Sequence, residues 1–353
     1  MKQGIELIEK LALCFGPSSC EGEVEAAIRE ELAGTRAELF TDRMGNLTAH
    51  LKGPEGAPRI MMSAHMDEVG FMITHIEDDG CLRFANVGGF DPAVLTGRAV
   101  MLGDETKRYP GVIAAKGIHQ QTAEERQKLP KPEDLYIDMG TKSREETEAL
   151  IERGDFGTFY TPFMRFGKDG AYIKCKALDD RMGCAILIEV LRIVEKRDLP
   201  LDLWFCFTVR EEIGKSGAQV TANRIAPDFS IVLETTAIAD VADIEPSRRV
   251  ANVGEGGVLS LLDRSTIYDR ELINFALETG RKNGIPVQVK RYVSGGNDAA
   301  HIQRSGVGVR CLALSAATRY LHAPVSVAAI KDYESMSALL LAMLDDWKKE
   351  GND

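Results

Sequence analysis

Ile60-Met61-Met62-Ser63-Ala64-His65-Met66-Asp67 is an apolar run that ends in a histidine and a carboxylate, and the rest of the chain repeats its design. Leu203-Trp204-Phe205-Cys206-Phe207 runs ahead of Glu211-Glu212, Ile231-Val232-Leu233 leads to Glu234, and Val309 to Leu314 precedes the loop that carries His322. A fifth fragment, Asp179-Asp180, opens a helical pattern. Each apolar run reads as a buried strand. In open α/β sheets ligands bind beyond the carboxyl ends of the strands, so fragments this far apart in sequence are expected to converge on one crevice. Two histidines among several carboxylates form a donor set suited to zinc, cobalt or manganese.

The 353 residues exceed the ~150 typical of one domain, which suggests two. Hydrophobic residues make up 44% and charged residues 27%, an ordinary soluble composition. A net charge of -11 lacks the basic footprint of a nucleic-acid binder. No apolar run approaches the ~18 residues that would read as a membrane span. Glu6 and Glu9 interrupt any secretory apolar region near the amino terminus, so no membrane or nucleic-acid partner is expected and the expected location is cytoplasmic. Seven cysteines without a Cys-x-x-Cys pair read as small buried hydrophobes in a reducing compartment.

Helical spacing of Ile5, Ile8 and Leu11, then a capping box of Ser18 with Glu21 before Val24, Ile28 and Leu32, predicts two amino-terminal helices. Leu187, Ile188, Leu191 and Val194 mark one face of a helix after Asp180. Further helices are expected around Leu272 to Ala276, closed by Gly284, and over Tyr333 to Trp347. Helices alternating with apolar strands predict an α/β fold, a helix-flanked mixed sheet. Between Val69 and about Arg165 the pattern changes to short strands, Gly70 to Ile76, Ala99 to Leu102 and Tyr109 to Ala115, separated by glycine turns and a polar run from His119 to Asp134. The expected organisation is a discontinuous catalytic domain (1–68 and 166–353) with a β-rich dimerisation and assembly module (69–165) inserted.

Alone, each fragment has a dull explanation. His65 and Asp67, two apart in a strand, point to one side, so the carboxylate can orient the ring, but buried polar pairs are common at sheet ends. Asp179-Asp180 can be a helix cap, although two aspartates exceed what a cap needs. Acidic doublets such as Glu211-Glu212 are commonplace in solvated turns. At a strand end the two would face opposite ways, one free to bind metal and the other to handle a proton. Their joint placement outweighs the separate explanations. His50, His75, His119 and His301 lack partner carboxylates at ligand spacing and read as packed or surface residues.

Together, Ser63-Ala64-His65-Met66-Asp67-Glu68-Val69-Gly70, Ala177-Leu178-Asp179-Asp180-Arg181, Val209-Arg210-Glu211-Glu212-Ile213-Gly214, Gly295-Gly296-Asn297-Asp298-Ala299 and Arg319-Tyr320-Leu321-His322 resemble the tetrahedral, or glutamyl, aminopeptidase family of di-metal peptidases. The resemblance spans nearly the whole chain in order. It implies that His65, Asp179 and Glu234 hold one metal and that Asp179, Glu212 and His322 hold the other, with Asp179 bridging. It implies Glu211 as general base, Asp67 as the residue orienting His65, and a cis bond between Asp179 and Asp180. Gly295, Gly296, Asn297 and Asp298 would shape the substrate pocket. Glu234 departs from the family's usual aspartate, and Asn297 from its usual threonine.

The implied protein is an aminopeptidase that takes the amino-terminal residue from short peptides. Two divalent ions, zinc or cobalt with manganese as a further option, would bridge a water ~3.5 to 4 Å metal to metal, and Glu211 would take its proton. The resemblance also implies a homododecamer built from dimers, with its sites facing an internal cavity. Rival readings are a di-metal deacylase or carboxypeptidase, for which Arg248, Arg249 and Arg291 offer carboxylate partners. A glycosidase using Glu211 and Glu212 needs its carboxyls ~5 to 9.5 Å apart about one bond, which adjacent residues facing opposite ways do not provide. A non-enzymatic interaction protein would have no use for a complete donor set with its base.

Overall fold

The computed structural model describes residues 2–238 and 240–350. Four parallel strands form the centre of an eleven-stranded mixed sheet: Asp202–Thr208, Arg59–His65, Phe229–Ala237 and Arg310–Arg319. Their registers pair Thr208 with His65, Ile231 with Met62 and Glu234 with Ser315, which brings the carboxyl ends to one side. Antiparallel strands flank this core. Glu38–Thr41 and Leu47–Leu51 extend one side; Ser326–Ala329, Tyr172–Cys175 and Met164–Phe166 extend the other. The central strands are buried along almost their whole length because helices cover both faces, which is why their sequences run apolar without alternation.

Helix Leu178–Val194 packs across strands Arg59–His65 and Phe229–Ala237, with helix Lys2–Leu13 against its outer side. Nearly every one of its positions is buried, as expected of a helix enclosed on all sides. Helix Arg270–Asn283 starts at Asp269, whose side chain accepts from the Leu272 amide, and stops at Gly284 in the left-handed conformation, φ 65°. The last helix, Ile330–Glu350, closes the same layer.

The inserted segment is a closed six-stranded barrel, in the order Gly70–Ile76, Leu82–Val87, Leu135–Asp138, Arg108–Ala115, Ala99–Gly103, Phe156–Phe159. It has its own core. The Phe71 ring meets Phe84, Phe90 and Phe159 edge-on, with centroids 5.0, 5.2 and 5.1 Å away. Closure leaves no free sheet edge. Gly70 is required at the crossing into the barrel, since a Cβ there would lie 2.4 Å from the Gly157 carbonyl oxygen. Glu68 ties both crossings: it accepts from Lys176 Nζ at 2.6 Å and from Thr158 Oγ1 at 2.7 Å, all three side chains being buried. The polar run from His119 to Asp134 is a largely exposed excursion with short 3-10 turns.

Several expectations need correction. The strand Met164–Phe166 pairs with Tyr172–Cys175 in the large sheet, so the chain has rejoined that sheet before residue 166. Glu234 lies inside Phe229–Ala237 and does not end it. The β-branched Thr235 and Thr236 continue the strand alongside its long parallel neighbour. Glu211 and Glu212 lie in a turn beyond Thr208. The capping box of Ser18 and Glu21 does not form: Glu21 immediately precedes helix Gly22–Leu32 without a side-chain cap, and the Ser18 hydroxyl is committed elsewhere.

Candidate active site

Beyond the carboxyl ends of the parallel strands the expected residues meet in two clusters. His65, Asp179 and Glu234 form one, and Asp179, Glu212 and His322 the other; within each, the donor atoms lie within 4.8 Å of one another. Asp179 belongs to both. Its Oδ1 is 3.4 Å from His65 Nε2 and its Oδ2 is 3.2 Å from His322 Nε2. Glu212 Oε2 is 3.3 Å from His322 Nε2, and Glu234 Oε2 is 3.9 Å from His65 Nε2. Ala177, two residues before Asp179, is held at φ 51°, and the Asp179–Asp180 peptide is cis.

His65 Nδ1 donates to the Asp67 carbonyl oxygen at 3.0 Å. Nε2 is thus the nitrogen that faces Asp179 and Glu234, and it can bind a cation once it gives up its proton. The Asp67 carboxylate is 3.5 Å from the same ring nitrogen. It has closer partners, since it accepts from the Glu211 amide at 3.0 Å, the Glu212 amide at 3.1 Å and the Ser18 hydroxyl at 2.5 Å. The backbone of Asp67 therefore orients the ring, and its side chain holds the acidic turn.

Glu211 lies outside both clusters. Its carboxylate is buried and lies 3.1 Å from Lys215 Nζ. Burial raises its pKa above the usual carboxylate range, against the pull of His65 and Lys215.

The centre demands positive charge. Burial first, then neighbouring carboxylates, push Glu212 and Glu234 well above their ordinary range. Burial also works against charging His322, yet Asp179 and Glu212 raise it to about 9; Asp179 and Asp67 likewise raise His65. Asp179 runs the other way, since the two imidazoles hold its carboxyl below its usual range despite burial. Protons on the histidines thus balance the acids, and a cation at either cluster would displace them. Asp179 Oδ1 and Glu234 Oε1 are buried without a hydrogen-bond partner, which is the donor vacancy a cation fills. Hard oxygens with two imidazoles suit a divalent ion.

A cleft of about 340 Å³ opens over the clusters. Glu211, Glu212 and Glu234 form its floor, and Gly295, Gly296 and Asn297 part of its wall. Asn297 is held at the Tyr268 hydroxyl by Nδ2, at 3.0 Å. Asp298 sits behind the wall, fully buried, accepting from Thr208 Oγ1 at 2.7 Å. Lys290 also lines the cleft, and a lone lysine carries no pattern that would mark it in the sequence. His50 is bound to Asp202 and stacked on Trp204, and His75, His119 and His301 stand apart from both clusters.

A helix-flanked mixed sheet with two carboxylate-imidazole clusters at its carboxyl edge offers donor sets for divalent ions where open α/β enzymes bind their ligands. The family described as M42 glutamyl aminopeptidase matches residues 45–339, and the chain belongs to that family. A putative aminopeptidase from Acetivibrio thermocellus is 33% identical over 95% of this chain and 97% of its own length. Among solved structures, a TET aminopeptidase from a marine-sediment Thaumarchaeota archaeon has TM-score 0.95 at 33% identity, covering 99% of this chain and 98% of that one. The TET1 peptidase of Pyrococcus horikoshii, described as able to assemble into a tetrahedron or a large octahedral shell, has TM-score 0.86 at 34% identity over 97% and 99%. The chain is a peptide hydrolase of the aminopeptidase class, and its family implies divalent metal ions.

Proposed function

We propose that this enzyme releases the amino-terminal residue of short peptides with two divalent ions, one held by His65, Asp179 and Glu234 and the other by Asp179, Glu212 and His322. The observation that carries this reading is Asp179, which offers one oxygen to each imidazole while Glu211 stands outside both clusters. Zinc or cobalt, with manganese as a further option, would polarise the scissile carbonyl and acidify water when bound. Glu211 takes the proton of the attacking water and returns it to the leaving amine, and burial strengthens it as a base. Asp67 holds the turn that sets Glu211 and Glu212 to these separate tasks. Carboxylates on the cleft floor receive the substrate's ammonium, and the wall at Gly295, Gly296 and Asn297 receives its side chain.

Lys290 adds a selectivity. Its ammonium donates to the Ser294 carbonyl oxygen at 2.8 Å, with Asp263 and Glu234 supporting its charge from a distance. Burial lowers its pKa, so a substrate carboxylate would relieve an unfavourable charge. An acidic first residue is therefore favoured. Lys290→Glu is expected to lower kcat/KM for glutamyl p-nitroanilide by about 10- to 100-fold, the scale of a charge-assisted hydrogen bond, and to raise it for the lysyl compound. A wild-type enzyme indifferent to the two compounds would remove the proposal. The same lysine suits the terminal carboxylate a carboxypeptidase recognises, a rival separated below by blocked peptides.

The barrel supports assembly. Val112 and Tyr160, 46% and 63% exposed, lie on an apolar depression of its surface with Met101 and Met139. We place the dimer contact on this module and expect a homododecamer built from dimers. Multi-angle light scattering should give a mass many times that of one chain, and a fully active monomer would contradict it. Seven free cysteines, six of them buried, suit a reducing compartment and favour the cytoplasm.

A further inference from the structure

Three consecutive backbone amides at the acidic turn are each received by a buried carboxylate. The Arg210 amide donates to Glu21 Oε1 at 3.2 Å, the Glu211 amide to Asp67 Oδ1 at 3.0 Å and the Glu212 amide to Asp67 Oδ2 at 3.1 Å. Asp67 is fixed in turn by the Ser18 hydroxyl at 2.5 Å, and Glu21 by the Ser19 amide at 2.9 Å. Ser18, Glu21 and Asp67 are 1%, 7% and 0% exposed. Water is thus excluded as a replacement partner.

The loop that supplies Ser18 and Glu21 is itself docked. The Glu68 amide donates to the Gly16 carbonyl oxygen at 2.9 Å, and Arg181 reaches the same oxygen and that of Leu11. Arg210 needs such support, because a residue with a Cβ is held there at φ 59° in the left-handed region. From that position the chain turns so that Glu211 and Glu212 face different partners, Lys215 and His322. Ser18 and Glu21 carry the spacing of a capping box, yet neither caps the helix that follows. Their polar atoms are spent on the turn instead.

We infer that Ser18 and Glu21, together with Asp67, form a cradle that positions the Glu211-Glu212 turn, and that the amino-terminal loop is part of the catalytic apparatus. Ser18 and Glu21 act through Asp67 and the backbone; neither touches substrate. The inference rests on the roles proposed for Glu211 and Glu212. A misplaced base weakens proton transfer more than it weakens binding, so the cost should fall on kcat.

The test uses the full-length, metal-supplied enzyme with Ser18→Ala, Glu21→Ala and Glu21→Gln, measuring kcat, KM, bound metal and Tm. Ser18→Ala and Glu21→Ala are each expected to lower kcat about tenfold, equivalent to ~1.4 kcal/mol of barrier, with KM nearly unchanged. Glu21→Gln keeps an acceptor oxygen at the same reach and should recover most of the loss. Unchanged kcat in both alanine variants would overturn the cradle, as would a glutamine variant no better than the alanine one. So would losses that merely follow a fall in Tm to the assay temperature. Glu211→Gln is assayed alongside. If it is inactive while the cradle variants run at the wild-type rate, only the cradle fails; if it is fully active, the assignment of Glu211 fails.

Discussion

Glu211→Gln is expected to lower kcat by about 10²- to 10⁴-fold while leaving bound metal unchanged. The two halves of this result separate base from ligand. Glu211 is buried beside the clusters but contributes to neither, whereas its neighbour Glu212 reaches His322. The substitution keeps size and an acceptor oxygen while removing the charge, and with it both the ability to take a proton and the ion pair with Lys215. Glu212→Gln should lose activity and reduce occupancy at the His322 cluster, and His322→Ala should do the same. Asp179→Ala should deplete both clusters, because its two oxygens serve different imidazoles. Metal content of the purified variants, measured beside turnover, checks all four. Loss of metal from Glu211→Gln would mean that the roles of the two glutamates are exchanged.

The central sheet was legible because parallel strands covered on both faces must be apolar throughout, so Ile60 to Met62 and Leu203 to Phe207 stand out without any alternation to interpret. The strands marked where candidate donors would gather, and the division of roles among those donors came only from the family resemblance. Glu234 is expected at the end of its strand because the apolar run stops at Leu233, and polar but β-branched Thr235 and Thr236 carry the strand on. Ser18 and Glu21 were misread for a different reason. A capping box and a tertiary cradle demand the same residue types, and only the fold brings Asp67 and Arg210 within reach of them. Lys290 was invisible, since its meaning comes from the cleft it enters. The large-sheet strand beginning at Met164 was likewise obscured by a short, exposed sequence with no periodicity.

Acetylating the amino terminus of a short peptide is expected to reduce kcat/KM by at least about 10²-fold. The free ammonium has a floor of buried acids to meet, Glu211, Glu212 and Glu234 among them. Charge-assisted hydrogen bonds of this kind are each worth ~1.5 to 3 kcal/mol, so losing even the stronger one approaches the predicted factor. The acetyl group adds a second penalty, because it adds bulk where the cleft must admit the amine. Anchoring at the amine also fixes which bond reacts: the first peptide carbonyl is the one held near Glu211, and release proceeds one residue at a time. The measurement is a paired assay of one peptide, free and acetylated, with cobalt or zinc supplied and products followed by mass spectrometry. Equal rates on the two forms would discard the amine anchor and favour a deacylase. Release of carboxyl-terminal residues first would transfer Lys290 from the first side chain to the terminal carboxylate and make the enzyme a carboxypeptidase.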